Sequence, residues 1–229
     1  KILKFVKEEL YSLEPWIYSC EWDEKLPKLN ELREKVKKMG LWLPQISTDY
    51  GGIGLSLEEH GEISEILGGS PYGFYVFNCQ APDAGNMEIL IEVGTSQQKK
   101  DYLTPLLEGK TRSCFAMTEP GYAGSNPTRM GTIAKKENGN YIINGHKWFT
   151  SSFDGADFAI VMVVTDPDEA NPYKRASQII VPTKTEGVEF VRNVSIMGHP
   201  GGGWESHAEI KFKNVIVPES NILGSEGDG

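Results

Sequence analysis

The chain is short of several things, and each shortage narrows what it can be. It has three cysteines in 229 residues, Cys20, Cys79 and Cys114. They are far apart and form no C-x-x-C pair, so neither a disulfide framework nor a zinc site is written here, and a reducing compartment fits best. Long apolar runs are missing too: stretches such as Phe158 to Val164 fall far below the roughly 20 residues that span a bilayer. Positive charge is in deficit. A formal net charge of −9 repels nucleic-acid phosphates and anionic membrane surfaces, although one cleft can still be basic enough for an anionic cofactor. No signal peptide is visible. The chain opens on Lys1 rather than Met, which leaves room for a removed targeting segment. What is present is ordinary for a globular protein: 39% hydrophobic and 24% charged residues, enough for a sizeable core. At about 150 residues per domain, one or two domains follow.

Two periodicities divide the chain. In the first half, Leu29, Leu32, Val36 and Met39 recur at helical spacing from Pro27, and Gly40 supplies a stop. Ser56 with Glu59 is a capping-box pattern ahead of Ile63, Ile66 and Leu67, and Thr95 with Gln98 repeats it ahead of Tyr102, Leu103, Leu106 and Leu107. Met87 to Val93 is a further helix ending at Gly94, and residues 2–13 predict an opening helix that Pro15 ends. From about residue 111, short runs rich in Val, Ile, Phe and Thr alternate with turn residues. Gly131–Lys136 and Tyr141–Asn144 read as a hairpin about Asn138-Gly139, both of which tolerate positive φ. Ser113–Met117, His146–Ser151, Phe158–Thr165, Gln178–Pro182, Val188–Val191 and Ala208–Phe212 predict further strands. The fold class expected is α+β, an all-helical domain over 1–110 followed by a β-barrel or sandwich domain over 111–224. The glycine-rich, acidic residues 225–229 read as a linker to a further domain.

Two segments could carry chemistry. Thr118-Glu119-Pro120-Gly121-Tyr122-Ala123-Gly124-Ser125-Asn126 follows a predicted strand. Its small residues let backbone approach a ligand, and successive N–H groups can form an anion-binding nest. An ordinary loop between strands explains it equally well, and no Gly-Lys-[Ser/Thr] follows to make it a P-loop. In Asn144-Gly145-His146-Lys147-Trp148-Phe149-Thr150-Ser151, strand alternation places Trp148 and Thr150 on one face. An indole beside a hydroxyl suits a flat heteroaromatic ligand, yet taken alone such a Trp is more often core. Other signals are weaker. Tyr50-Gly51-Gly52-Ile53-Gly54 lacks the third glycine of a dinucleotide fingerprint and reads as a turn. Gly201-Gly202-Gly203 reads as a mobile loop. His199, Glu205 and His207 lack a further organised ligand for a metal, and Cys114 reads as a packed core thiol rather than a nucleophile.

Taken in order, these segments resemble the acyl-CoA dehydrogenase family along nearly the whole chain. Asp49 to Ser56 is similar to its "YGG-x-G-x-S" stretch, and Gln97 to Leu103 with Pro105, Leu106, Leu107 and Gly109 to its "QK..YL..L..G" signature. Phe115 to Pro120 with Gly124-Ser125 resembles its "TEP-GAGS" flavin loop, and Asn144 to Thr150 its second flavin segment. Ile210–Phe212, Val215–Pro218 and Ile222-Leu223-Gly224 resemble the end of its β-domain. Asn78 to Met87 resembles the branch with family members 10 and 11, multidomain proteins in animals.

The resemblance implies an FAD-dependent oxidoreductase of fatty-acid β-oxidation that introduces an α,β double bond into an acyl-CoA and passes electrons to an electron-transferring flavoprotein. Phe115, Met117 and Thr118 would line the isoalloxazine, and Gly124 and Ser125 would lie near the pyrophosphate, with Ser125 also meeting the acyl-CoA. Trp148 would pack against the ring beside Phe149, and the Thr150 hydroxyl would bond near flavin N5. The family usually forms dimers or tetramers. It would be cytoplasmic in a bacterium and mitochondrial or peroxisomal in a eukaryote. Three departures stand out: Tyr122 is an extra residue in the loop, Asn126 replaces a frequent Asp, and the family's catalytic Glu lies in a C-terminal four-helix domain that these residues do not include. No catalytic residue is therefore assigned, and these 229 residues are expected to be an inactive portion of a longer protein. Acyl-CoA oxidases and flavin monooxygenases of the same fold share these motifs. A non-catalytic or nucleic-acid-binding member, or a shortened chain that works only with partners, are the other readings.

Overall fold

The computed structural model describes residues 1–229, which form two compact units, residues 1–84 and 85–229. The first unit is helical. Residues 2–17 form one run of changing pitch: an α-helical turn at Ile2–Phe5, a π-helical turn at Val6–Leu10, a 3₁₀ turn at Tyr11–Leu13 and a last α turn at Glu14–Ile17. Pro15 does not end this run as expected. It sits in the first turn of Glu14–Ile17, where a missing N–H leaves no helical bond unmade. Helix α1, Trp22–Lys38, starts ahead of the expected Pro27 and carries that proline inside. It buries Trp22, Leu29, Leu32 and Val36, each aliphatic side chain contributing about 1.5–3 kcal/mol. Arg33 is buried with them; it donates to Tyr75 O at 2.8 Å and Asn78 Oδ1 at 3.1 Å, and its guanidinium lies over the Trp42 and Tyr75 rings. Helix α2, Leu57–Leu67, opens with the expected capping box: Ser56 Oγ accepts from Glu59 N, and the Glu59 carboxylate accepts from Ser56 N. Helix α3, Asp83–Val93, passes from the first unit into the second.

The second unit begins with the rest of α3 and the helical turns Ser96–Gln98, Lys99–Leu103 and Thr104–Leu107. These turns are joined to the strands by buried polar contacts. Asn86 Nδ2 donates to Ser113 Oγ at 2.9 Å and Cys114 O at 3.1 Å, and Gln98 Nε2 donates to Ser220 O and Ile222 O. The compact-unit boundary therefore falls inside α3, while the sequence periodicity changes near Gly109–Thr111.

Eight strands follow: β1 Ser113–Ala116, β2 Ile133–Glu137, β3 Asn140–Ser151, β4 Phe158–Val164, β5 Ala176–Pro182, β6 Val188–Asn193, β7 His207–Pro218 and β8 Ile222–Leu223. They form one mixed sheet in the order β6-β7-β3-β2-β4-β5-β8, with β1 also paired to β4. Both β1 and β2 run parallel to β4, and the other pairings are antiparallel. The strands expected separately at Tyr141–Asn144 and His146–Ser151 are one strand, β3, and β7 runs past Phe212 to Pro218. The β2–β3 turn is as expected, with Asn138 at φ 51° and Gly139 at φ 76°, the pair of positive dihedrals that a tight hairpin requires. Strand β4 is buried along its whole length, which its unbroken apolar run anticipates. Tyr141, Ile143, Val161, Val163, Ile179, Val181, Ile210 and Phe212 share one core. The acidic C-terminal residues lie against this sheet: Tyr141 donates to the Glu226 carboxylate at 2.5 Å, and Gly229 N donates to Ala176 O at 2.9 Å. A helical region followed by a mixed β domain is the fold class the sequence implies. No helix is long and apolar enough to cross a membrane.

Candidate functional site

The two glycine-bearing segments, 30 residues apart, meet at one backbone junction. Trp148 N donates to Thr118 O at 3.0 Å, and the Thr118 hydroxyl donates back to Trp148 O at 2.8 Å. The end of β1 is thereby locked onto the middle of β3. Phe115, Met117 and Thr118 are partly exposed along this edge, while Cys114 and Ala116 alternate into the core. Cys114 accordingly packs as a core thiol, within 3.7 Å of Phe158 O.

Beneath the junction lies a buried ion pair that reading the sequence does not single out. Lys147 Nζ stands 2.8 Å from Glu119 Oε1, with the side chains 0% and 3% exposed. Lys147 also donates to Met117 O at 2.7 Å. The Glu119 carboxylate accepts from Gly131 N at 2.6 Å and Thr132 N at 2.9 Å. One pair of charges thus ties the exit of β1, the centre of β3 and the entry to β2. Burial acts to raise the Glu119 pKa, but donors from Lys147, Thr132 and Gly131 outweigh it and hold the carboxyl below its ordinary value. Burial pushes Lys147 down, and Glu119 opposes the shift. The only sequence clue was a Glu in the loop that follows β1 and a Lys within β3.

The loop held by this latch runs from Pro120 to Met130. The N–H groups of Gly121, Ala123, Gly124 and Ser125 have no protein acceptor among the described residues, and residues 120–126 are exposed. These open donors stand exposed on the loop, where they could meet an anion. Gly124 approaches Thr118 closely: a Cβ added there would come within 3.2 Å of Thr118 Cγ2. The inserted Tyr122 is accommodated by Gly131, since any Cβ on Gly131 would run into the Tyr122 ring. Asn126 caps its own turn, with Oδ1 accepting from Thr128 N and Oγ1.

On β3 the expected alternation fails. The β3–β7 register shifts between Lys147 and Thr150, with Lys147 opposite Ile210 and Thr150 opposite Ala208, and Phe149 takes φ 48°. This extra residue is a β-bulge, which re-aims the side chains after it. Trp148 and Thr150 therefore do not share an open face. Thr150 is 0% exposed, with its hydroxyl buried and without a partner. Phe149 is 41% exposed and meets Trp148 edge-on, ring centroids 4.9 Å apart. The accessible hydroxyl of the strand is instead Ser151, whose Oγ lies 2.8 Å from His207 Nδ1. On the same face, Glu209 accepts from Arg192 and pairs with His146, each at 2.8 Å. Gly203, the last of the three glycines read above as a mobile loop, donates to Asp154 at 3.0 Å, and the next residue, Trp204, accepts from Ser152 at 2.8 Å. His207 is committed to Ser151, and no group of three or more His, Cys, Asp or Glu side chains stands together as metal ligands among the described residues.

Known proteins share both the sequence pattern and the fold of this chain. Sequence models of the acyl-CoA dehydrogenase N-terminal domain and middle domain match residues 1–110 and 114–215. Acyl-CoA dehydrogenase family member 10 of Mus musculus is 41% identical over 243 aligned residues, covering 100% of this chain and 22% of that protein. Family member 11 of Gallus gallus is 40% identical, covering 100% of this chain and 30% of that protein. A solved structure from Mycobacterium abscessus described as an acyl-CoA dehydrogenase superposes with a TM-score of 0.92 at 34% identity, over 100% of this chain and 59% of that one. The chain thus spans less than a third of the length of these two curated relatives. With both domain models matched and its fold shared, this chain belongs to the acyl-CoA dehydrogenase family.

Proposed function

We propose that these residues form the flavin-holding part of an FAD-dependent enzyme that oxidises acyl-CoA thioesters at the α,β carbon–carbon bond. The observation that supports the reading is the Thr118–Trp148 junction, which joins the start of a loop with open N–H groups to the Trp148–Phe149 aromatic pair. FAD combines a pyrophosphate with a flat heteroaromatic ring, and the residues present fit both. The N–H groups of Ala123, Gly124 and Ser125 would hold the pyrophosphate, and the Ser125 hydroxyl would also reach the acyl-CoA. Phe115, Met117 and Thr118, with Trp148 and Phe149, would flank the ring. The Thr150 hydroxyl, buried and without a protein partner, would offer a hydrogen bond near flavin N5. FAD, when bound, supplies the two-electron acceptor that this chemistry requires. The chain's own part is to orient the ring and exclude water from one of its edges.

A carboxylate base is needed to take the α-proton. Glu119, the buried carboxylate at the site, is already bound by Lys147 and two N–H groups, which leaves it poorly suited to that work. We assign the base to a part of the protein outside these residues, as the family resemblance implies. By the same resemblance the full protein would work as a homodimer or homotetramer, and electrons would leave to an electron-transferring flavoprotein. The test is product analysis. Full-length protein with a saturated acyl-CoA and an artificial electron acceptor should yield a thioester lighter by two hydrogens. An unchanged thioester across short, long and branched chains would refute the reading. A product gaining oxygen, or turnover driven by O₂ alone, would move it to the monooxygenase or oxidase relatives.

A further inference from the structure

We infer that Arg129 is a phosphate-binding residue: its guanidinium meets a phosphate of one of the two adenine nucleotides that the proposed function calls for, FAD or acyl-CoA. This rests on that reading and goes beyond it by naming a group outside both glycine-bearing segments.

The other guanidinium groups of this chain are engaged. Arg33 donates to Tyr75 O and Asn78 Oδ1, Arg112 to Asp154 O at 2.6 Å, Arg175 to Glu169 O at 2.7 Å and Arg192 to Glu209 at 2.8 Å. Arg129 is the fifth arginine. Its backbone N–H donates to Asn126 O at 3.1 Å, while its exposed guanidinium has no protein partner among the described residues. Arginine stays charged at any working pH, and its fork of donors matches the oxygens of a phosphate.

This free cation stands beside the groups a nucleotide would touch. Arg129 lines one small cleft with Met117, Thr118, Tyr122 and Gly124. Met117 and Thr118 are assigned above to the flavin ring, and Gly124 to the pyrophosphate loop. The backbone that carries Arg129 is held on both sides. Asn126 Oδ1 accepts from Thr128 N and Oγ1, and Gly131 N donates to the buried Glu119 carboxylate at 2.6 Å. A fixed root lowers the ordering cost of binding through the side chain.

Charge favours the same role. Between Thr118 and Ala134 the only acidic residue is Glu119, and Lys147 neutralises it at 2.8 Å. The loop therefore keeps one uncompensated positive charge in a chain of formal net charge −9. Such a local surplus attracts anions, and phosphate is the anion that both nucleotides carry.

The test uses the full-length protein. Its readouts are FAD affinity, by titration of the apoprotein, and acyl-CoA KM and kcat, with thermal unfolding to verify folding. At low salt, Arg129→Gln should weaken one of the two nucleotides about 3–10-fold, between an exposed ion pair and a desolvated charge-assisted bond. The loss should shrink as salt screens it, and kcat should hold. Arg129→Lys should keep most of the affinity. Lys135→Gln removes the same charge from an exposed position on β2 and should change neither nucleotide. Weaker FAD with unchanged acyl-CoA KM assigns Arg129 to the FAD phosphates. A raised acyl-CoA KM with unchanged FAD affinity assigns it to CoA, and an acyl-CoA lacking the 3′-phosphate then shows which phosphate is met, since Arg129→Gln costs that thioester nothing more if it is the 3′ one. Both affinities within about 2-fold of wild type in Arg129→Gln, or an equal loss in Lys135→Gln, would overturn the inference. If the unsubstituted protein takes up no FAD, the reading beneath fails, and that result is distinct because no variant is needed to see it.

Discussion

Lys147→Met is the perturbation with the clearest expected consequence. It removes the cation from a pair whose side chains are 0% and 3% exposed, at nearly constant volume. The Glu119 carboxylate keeps its two N–H donors from Gly131 and Thr132 but loses its counter-ion. Removing one member of a buried pair costs about 3–5 kcal/mol, because the remaining charge stays desolvated. For a domain of this size about 2–4 °C of Tm accompanies each kcal/mol, so a fall of about 6–20 °C is expected. Adding Glu119→Gln removes the orphaned charge and should recover a kcal/mol or more, roughly, since double removal spares the desolvation. The assay is thermal or urea unfolding of wild type, both single variants and the double. A Lys147→Met protein within about 1 kcal/mol of wild type, well short of the roughly 3–5 kcal/mol that breaking a buried pair costs, would refute the latch. So would a double variant whose loss equals the sum of the singles.

Other consequences can be checked separately. Acid should weaken the latch: the folded Glu119 pKa is depressed, so its contribution is present above the unfolded carboxylate value and lost as pH falls through the folded one, which urea unfolding between pH 7 and pH 3 would reveal. Asn86→Leu should cost about 1–3 kcal/mol, by leaving Ser113 Oγ and Cys114 O short of a buried donor, measured by urea unfolding. Gly139→Ala should cost about 1–2 kcal/mol, because φ 76° is strained for any residue with a Cβ, again by unfolding. In thiol labelling near neutral pH, Cys20 should react while Cys79 and Cys114 stay protected. Both of these are buried, and burial pushes the Cys79 thiol up to about 12.

Much of this architecture is legible in the residues. The capping boxes at Ser56/Glu59 and Thr95/Gln98 and the Asn138-Gly139 turn are local chemistry, and local chemistry does not wait on tertiary packing. The loop at 118–126 is legible for the same reason: small residues without a competing role imply open backbone. Three features were hidden. The bulge at Trp148–Phe149 adds one residue to an otherwise regular alternation, and only pairing against Ile210 and Ala208 shows where it falls. That single slip sets Thr150 opposite Ala208 and Ser151 opposite His207. The Glu119–Lys147 pair spans 28 residues, and charged residues default to the surface unless a partner is known. The attachment of residues 85–107 to the sheet depends on Asn86 and Gln98, polar side chains whose buried roles have no periodic signature.

The central claim is that these residues hold FAD at the service of acyl-CoA oxidation, and the visible spectrum of the full-length protein tests it most directly. The protein should be yellow as isolated or after reconstitution, and its flavin band should bleach when an acyl-CoA of suitable length is added without oxygen. A colourless protein that cannot be reconstituted with FAD would contradict the roles given to Thr118, Gly124, Ser125 and Trp148 together. A yellow protein that no acyl-CoA bleaches would contradict the reaction while leaving the flavin site in place.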